Sequence, residues 1–173
     1  MAEALAPPLP DDIDQLAETV LALACDRELR LAAAESCTGG LLASLLTDIP
    51  GKSHAFERGF VTYTDEAKNE LLGVPLVLIR EVGAVSEPCA RAMAVGALDN
   101  SRADVAVSIT GFTEGAPGQP AGLVHFGCAR RGGATRHRVE CFGDVGRAEV
   151  RLSALRVALA LLHEGLSALD RAA

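Results

Sequence analysis

At 173 residues the chain has room for one domain of ordinary size and too little for two. Hydrophobic residues make up 49%, which excludes global disorder and allows a sizeable core. The formal charge of −7, from 23 acids against 16 bases, argues against a nucleic-acid duplex as partner, because phosphate neutralisation needs a basic surface.

Residues 1–10, with Pro7, Pro8 and Pro10, read as a loose leader that lacks the basic-then-apolar pattern of a secretory signal. Asp11 or Asp12 then caps a predicted helix whose apolar positions Ile13, Leu16, Val20 and Leu23 step by helical spacing. Leu29 to Ala34 reads as a short buried strand, and Thr38 to Thr47 as a helix begun at a Gly-Gly pair and stopped by Pro50-Gly51. Phe56 to Thr62 is the second predicted strand. Asp65 to Leu72 is a short helix closed by Gly73 and Pro75, with a further turn of helix over Leu76 to Glu81. Ser86 caps the next helix, which tolerates Pro88 in its first turn and turns Ala90, Met93, Ala97 and Leu98 inward.

Asp104 to Thr110 is the clearest strand, and a Gly/Pro-rich loop from Gly111 to Pro120 follows it. Leu123 to Ala129 and Thr135 to Cys141 alternate as a hairpin around Arg130-Arg131-Gly132-Gly133. Leu152, Leu155, Leu159, Leu162, Leu166 and Leu169 form one apolar stripe on a final helix. Strands alternating with helices predict an α/β layered domain over 11–170, and the hairpin makes its sheet mixed. No apolar run approaches the roughly 20 residues of a membrane span, so a soluble protein is expected.

Five scattered cysteines, an odd number without a C-x-x-C pair, fit neither a disulfide framework nor a zinc knuckle. The simple reading is reduced thiols in a cytoplasm. Four histidines show no metal-ligand spacing, so no metal site is expected. Only Lys52 and Lys68 among the 16 bases are lysines, and a lysine can lose its proton where arginine cannot. Tyr63 is the single tyrosine.

Chemistry is placed by strand ends, since ligands of α/β sheets bind beyond the carboxyl ends of strands. Glu35-Ser36-Cys37-Thr38-Gly39-Gly40 lies between a strand and a helix; there Ser36 is either a nucleophile beside free amides or, like Thr38, a helix cap. Cys37 is a third option as nucleophile. Tyr63 stands at a strand end and Lys68 in the first turns of the next helix, where a cation opposes the dipole. Lys68 is thus a general base of depressed pKa or a solvated lysine beside Asp65 and Glu66. Thr110-Gly111 ends another strand; Arg147 and Arg151, one turn apart, suit a phosphate or stand as salt-bridged surface.

In order, Ala34-Glu35-Ser36-Cys37-Thr38-Gly39-Gly40, Phe56 to Tyr63, Glu66-Ala67-Lys68, Leu72-Gly73-Val74, Gly83 to Ser86 and Ser108 to Gly111 resemble the CinA C-terminal domain family. Its enzymatically active members are nicotinamide-nucleotide amidases. The resemblance runs from Leu16 to Leu166 and implies a three-layer α/β/α sandwich with a mixed, mostly parallel sheet, standing without the N-terminal domain of full-length CinA proteins. It further implies hydrolysis of nicotinamide mononucleotide to nicotinic acid mononucleotide and ammonia by a Ser36/Lys68 dyad, with Tyr63 as aromatic partner and no metal or cofactor. Glu35, Thr38, Gly39, Gly40, Thr110, Gly111 and Arg147 become the expected substrate-binding set. A homodimer is the default assembly.

The chain departs from the family in two places. Where members continue T-G-I-A-G-P and then K-P-V-G-T-V, residues 110–124 are shorter, lack the lysine and carry Glu114. The late segment reads G-D-V-G-R in place of G-D-R, which leaves Arg151 as the alternative to Arg147. A nucleotide-binding module without turnover, or an amidase for another small amide, are the alternative expectations.

Overall fold

The computed structural model describes residues 9–169, so the first eight residues of the expected leader and the last residue of the expected domain lie outside it. Five strands, β1 (Leu31–Glu35), β2 (Phe56–Val61), β3 (Val105–Gly111), β4 (Leu123–Arg130) and β5 (Arg136–Cys141), form one sheet in the order β2-β1-β3-β4-β5. β1 pairs in parallel with β2 and β3, while β3–β4 and β4–β5 are antiparallel. Only β4 therefore runs against the other four strands, so the sheet is mixed and mostly parallel.

Helices α1 (Asp11–Asp26), α2 (Leu41–Asp48) and α6 (Arg147–Ser167) cover one face; α3 (Asp65–Leu72), α4 (Leu76–Val82) and α5 (Glu87–Asp99) cover the other. The result is a three-layer α/β/α arrangement. Its faces differ in bulk because strand residues alternate sides. Leu31, Val105, Val107, Ile109 and Phe126 meet α1, α2 and α6, whereas Ala32, Ala34 and Ala106 face α5. Small residues let α5 lie close: an ideal Cβ on Gly127 of β4 would stand 2.4 Å from the Ala90 carbonyl oxygen.

Local signals and tertiary packing set the boundaries together. α3 has the predicted limits, with Thr64 Oγ1 accepting from the Ala67 amide and Gly73 ending the helix at a left-handed φ of 67°. α1 starts after Pro10, so neither Asp11 nor Asp12 caps it; both lie in its first turn, where their charge meets the amide end. β1 starts at Leu31 and not at Leu29, because the Leu29 amide still bonds to Ala24 at the close of α1. α2 begins at Leu41 and not at Thr38, because Gly39 and Gly40 adopt φ of 60° and 95°, outside the helical region. The leucine stripe of α6 buries Leu155, Leu159, Leu162 and Leu166, and Leu169 lies beyond the helix end. Among the described residues no helix is long and apolar enough to cross a membrane.

Gly96 of α5 has the least room for a side chain among the described glycines: a Cβ there would meet the Leu72 carbonyl oxygen of α3 at 1.9 Å. Gly96→Ala is expected to destabilise the protein by about 2–4 kcal/mol in urea denaturation, because backbone must move to admit the methyl. Gly115→Ala, with nothing nearer than 3.9 Å, is expected to unfold with the wild type.

Candidate active site

Three adjacent parallel strands end side by side, and each delivers part of the site. β1 runs into Ser36, β2 into Thr62 and Tyr63, and β3 ends at Thr110 and Gly111. The ladder continues past β1: the Ser36 amide donates to Ile109 O at 3.0 Å, and the Thr62 amide to Glu35 O at 2.8 Å. Ser36 is thereby fixed between its two neighbours.

Lys68 comes from the first turns of α3, and its side chain is 1% exposed. Its Nζ donates to Ser36 Oγ at 3.3 Å, to Thr62 O at 3.0 Å and to Tyr63 O at 3.4 Å. Burial holds its pKa below the ordinary 10.5, against the opposing pull of Cys89, Asp65 and Cys37. Desolvation is the cause. The alternative of a solvated lysine beside Asp65 and Glu66 is replaced by a buried amine on a serine.

Neither Ser36 nor Thr38 caps α2. That role belongs to Glu35, 1% exposed, whose Oε2 accepts from the Gly40 and Leu42 amides at 3.2 and 3.0 Å and whose Oε1 accepts from Ala43 at 2.8 Å. Glu35 therefore binds the protein's own backbone. The Ser36 hydroxyl is left to Lys68, and Thr38 Oγ1, fully buried, has no hydrogen-bond partner, nor has Thr62 Oγ1. The Gly39 amide donates to Ser36 O and the Gly40 amide to Glu35, so of the Thr38, Gly39 and Gly40 amides at this turn the one left unengaged is that of Thr38. Cys37 lies in the same turn, but burial pushes its thiol up to about 11, which leaves it protonated near neutrality.

The remaining expected residues fall into two groups. Thr110 is 1% exposed and donates its hydroxyl to Ala84 O at 2.8 Å, tying β3 to the turn before α5. Gly111 is demanded by β4, since a Cβ there would meet Val124 Cγ2 at 2.7 Å. Tyr63 is 69% exposed and touches Lys68 through its carbonyl, while its phenol interacts with Arg147 at the rim. Arg147 pairs with Glu114 of the glycine-rich loop at 3.3 Å. Arg151 is the arginine that reaches the serine loop, donating from Nη2 to Thr38 O at 2.7 Å. Glu35 as a helix anchor and Thr62 as a lysine acceptor were not visible from residue type. Among the described residues no three His, Cys, Asp or Glu side chains are placed to hold a metal. His125 Nδ1 and His137 Nε2 face each other at 2.9 Å.

Fold and site together define an α/β protein with a buried serine–lysine contact at the strand ends. The CinA C-terminal domain model matches residues 13–166, and the chain belongs to that family. A CinA-like protein of Akkermansia muciniphila is 50% identical over 70% of this chain but only 30% of its own length, so the chain spans about a third of such relatives. The nicotinamide-nucleotide amidohydrolase PncC of Escherichia coli K12 is 45% identical over 88% of this chain and 94% of its own. A crystal structure of the competence/damage inducible protein CihA from Agrobacterium tumefaciens superposes with a TM-score of 0.89 at 42% identity, covering 94% of this chain and 99% of that one.

Glu35→Ala strips three amides, one buried and two half-buried, of their acceptor and is expected to destabilise the fold by about 2–4 kcal/mol. Glu35→Gln, which keeps one acceptor oxygen, is expected to lie between Ala and wild type in thermal melting.

Proposed function

We propose that the chain hydrolyses the carboxamide of nicotinamide mononucleotide, giving nicotinic acid mononucleotide and ammonia. The observation that carries this reading is the 3.3 Å contact between buried Lys68 Nζ and Ser36 Oγ. The similarity to the Escherichia coli amidohydrolase supports the substrate class.

Neutral Lys68 takes the Ser36 proton as Oγ attacks the carboxamide carbon. The oxyanion that forms meets the unengaged Thr38 amide at the turn before α2. Collapse breaks the C–N bond, and the proton held on Lys68 leaves with the nitrogen as ammonia. Water then attacks the acyl–serine ester, gives its proton to Lys68, and releases the carboxylic acid while Ser36 regains its hydrogen. Arg151 holds the Thr38 carbonyl and so keeps the serine turn in place. Arg147, at the rim, is the arginine within reach of a phosphate remote from the reacting carbon.

Purified protein incubated with nicotinamide mononucleotide and EDTA is expected to release ammonia. No ammonia with thermal stabilisation by the nucleotide would point to a binding module, and no response at all to another small amide. Ser36→Ala is expected to abolish turnover with the fold intact, and Lys68→Arg to abolish it with a lowered melting temperature, since arginine stays protonated at any working pH in this buried place. Lys52→Arg, on the salt bridge to Glu18, is the control expected to keep full rate. The base works only when neutral, so kcat/KM is expected to rise with pH through a midpoint below the ordinary lysine value of 10.5. Arg147→Ala is expected mainly to raise KM for the nucleotide, with nicotinamide riboside turnover unchanged.

A further inference from the structure

The rim of the site holds an ion pair for which the hydrolytic steps have no use. Arg147 opens α6, and its Nε and Nη2 each lie 3.3 Å from a different carboxylate oxygen of Glu114. Two parallel contacts of this kind fill the guanidinium fork as a phosphate would. The phenol of Tyr63 interacts with the same guanidinium, and the Tyr63 carbonyl accepts from Lys68 Nζ at 3.4 Å. On the other side Arg151, four residues and about 6 Å along the helix, grips the serine turn at Thr38 O. The pair is thus linked to Lys68 through Tyr63 and to the serine turn through the next turn of α6.

Glu114 is the only acid in the loop 112–122, and both of its carboxylate oxygens are held by the Arg147 fork. The two side chains are 52% and 67% exposed, so the pair is screened by solvent and easily exchanged. We infer that Glu114 is a built-in competitor for the substrate phosphate: it occupies Arg147, yields to an incoming phosphate, and so sets the selectivity between phosphorylated and unphosphorylated pyridine amides. This rests on the reading of the site as a nucleotide amidase. Two consequences follow from charge alone. A displaced Glu114 stays near the bound phosphate and repels it, and a substrate without phosphate never meets that repulsion.

Steady-state kinetics of Glu114→Gln against wild type, on nicotinamide mononucleotide and nicotinamide riboside, test the assignment. The expected result is a KM for the nucleotide lowered about threefold, the scale of an exposed ion pair, with kcat and the riboside parameters unchanged. A raised or unchanged nucleotide KM overturns it, as does an equal fall for both substrates. A second measurement does not depend on turnover. Tyr63 is the only tyrosine and there is no tryptophan, so intrinsic fluorescence reports directly on this rim. Titrated with inorganic phosphate, Glu114→Gln is expected to bind about threefold more tightly than wild type, and Glu114→Gln with Arg147→Ala to lose the gain. Equal phosphate affinities overturn the inference. If wild type releases no ammonia from the nucleotide, the amidase reading fails alone, and the phosphate titration still decides the role of Glu114.

Discussion

Two oxygens on Glu35 hold the start of α2, and the geometry of the serine turn depends on them. A helix N-terminus needs acceptors for its first amides, and a serine or threonine just before it usually supplies one. Here the carboxylate at the end of β1 reaches across the turn and takes the amides of Gly40, Leu42 and Ala43. The left-handed Gly39 and Gly40 make that reach possible by folding the chain back before α2 begins. With the capping done by Glu35, the hydroxyl of Ser36 has Lys68 as its partner and that of Thr38 has none. A local structural duty is moved off the residue that has chemistry to perform.

The burial of Lys68 works against stability and for reactivity at once. An ammonium taken out of water loses hydration that two carbonyls and one hydroxyl only partly replace. Its pKa falls because the neutral amine is the form the interior tolerates. The sign for folding follows from linkage: the unfolded chain holds this proton more tightly. The penalty is therefore full below the folded pKa and fades as pH rises from there toward 10.5. An arginine at the same place would carry the penalty at every pH and never become a base. In a chain with fourteen arginines and two lysines, the lysine at 68 is the one that is buried.

What was legible in the residues is what local chemistry decides. Gly73 and Pro75 close α3 as read, and Ser86 accepts from the Cys89 amide at 3.3 Å to start α5 as its spacing requires. The hairpin of β4 and β5 and the stripe of α6 are periodic signals of the same kind. The serine–lysine pairing was legible through the family resemblance, since residues 32 positions apart have no local reason to meet. What stayed hidden depends on tertiary approach. Glu35 anchors amides up to eight residues away across a glycine turn, and no spacing rule anticipates that. The different surroundings of Arg147 and Arg151 depend on where α6 enters: its first residue meets the loop at Glu114, and its next turn meets Thr38. The strand-end position of Tyr63 suggested a phenol in the site, yet that side chain is largely exposed and it is the Tyr63 carbonyl that meets Lys68.

The small-residue face of the sheet completes the link from fold to reactivity. Because Ala32, Ala34, Ala106 and Gly127 present little bulk, α5 settles directly on β1, β3 and β4. Gly96 then admits the Leu72 carbonyl against the α5 backbone, so the end of α3 is fixed to a helix that is itself fixed to the sheet. Lys68 sits one turn before Leu72 on α3, which gives its side chain a defined course toward the end of β1 with Cys89 of α5 alongside. A bulkier alanine face would lift α5, carry α3 outward and let water reach the amine. The lysine would regain both its hydration and its ordinary proton affinity, and the 3.3 Å contact with Ser36 would become an exchangeable surface hydrogen bond. The small side chains under α5 thus help keep Lys68 in the dry layer where desolvation lowers its pKa.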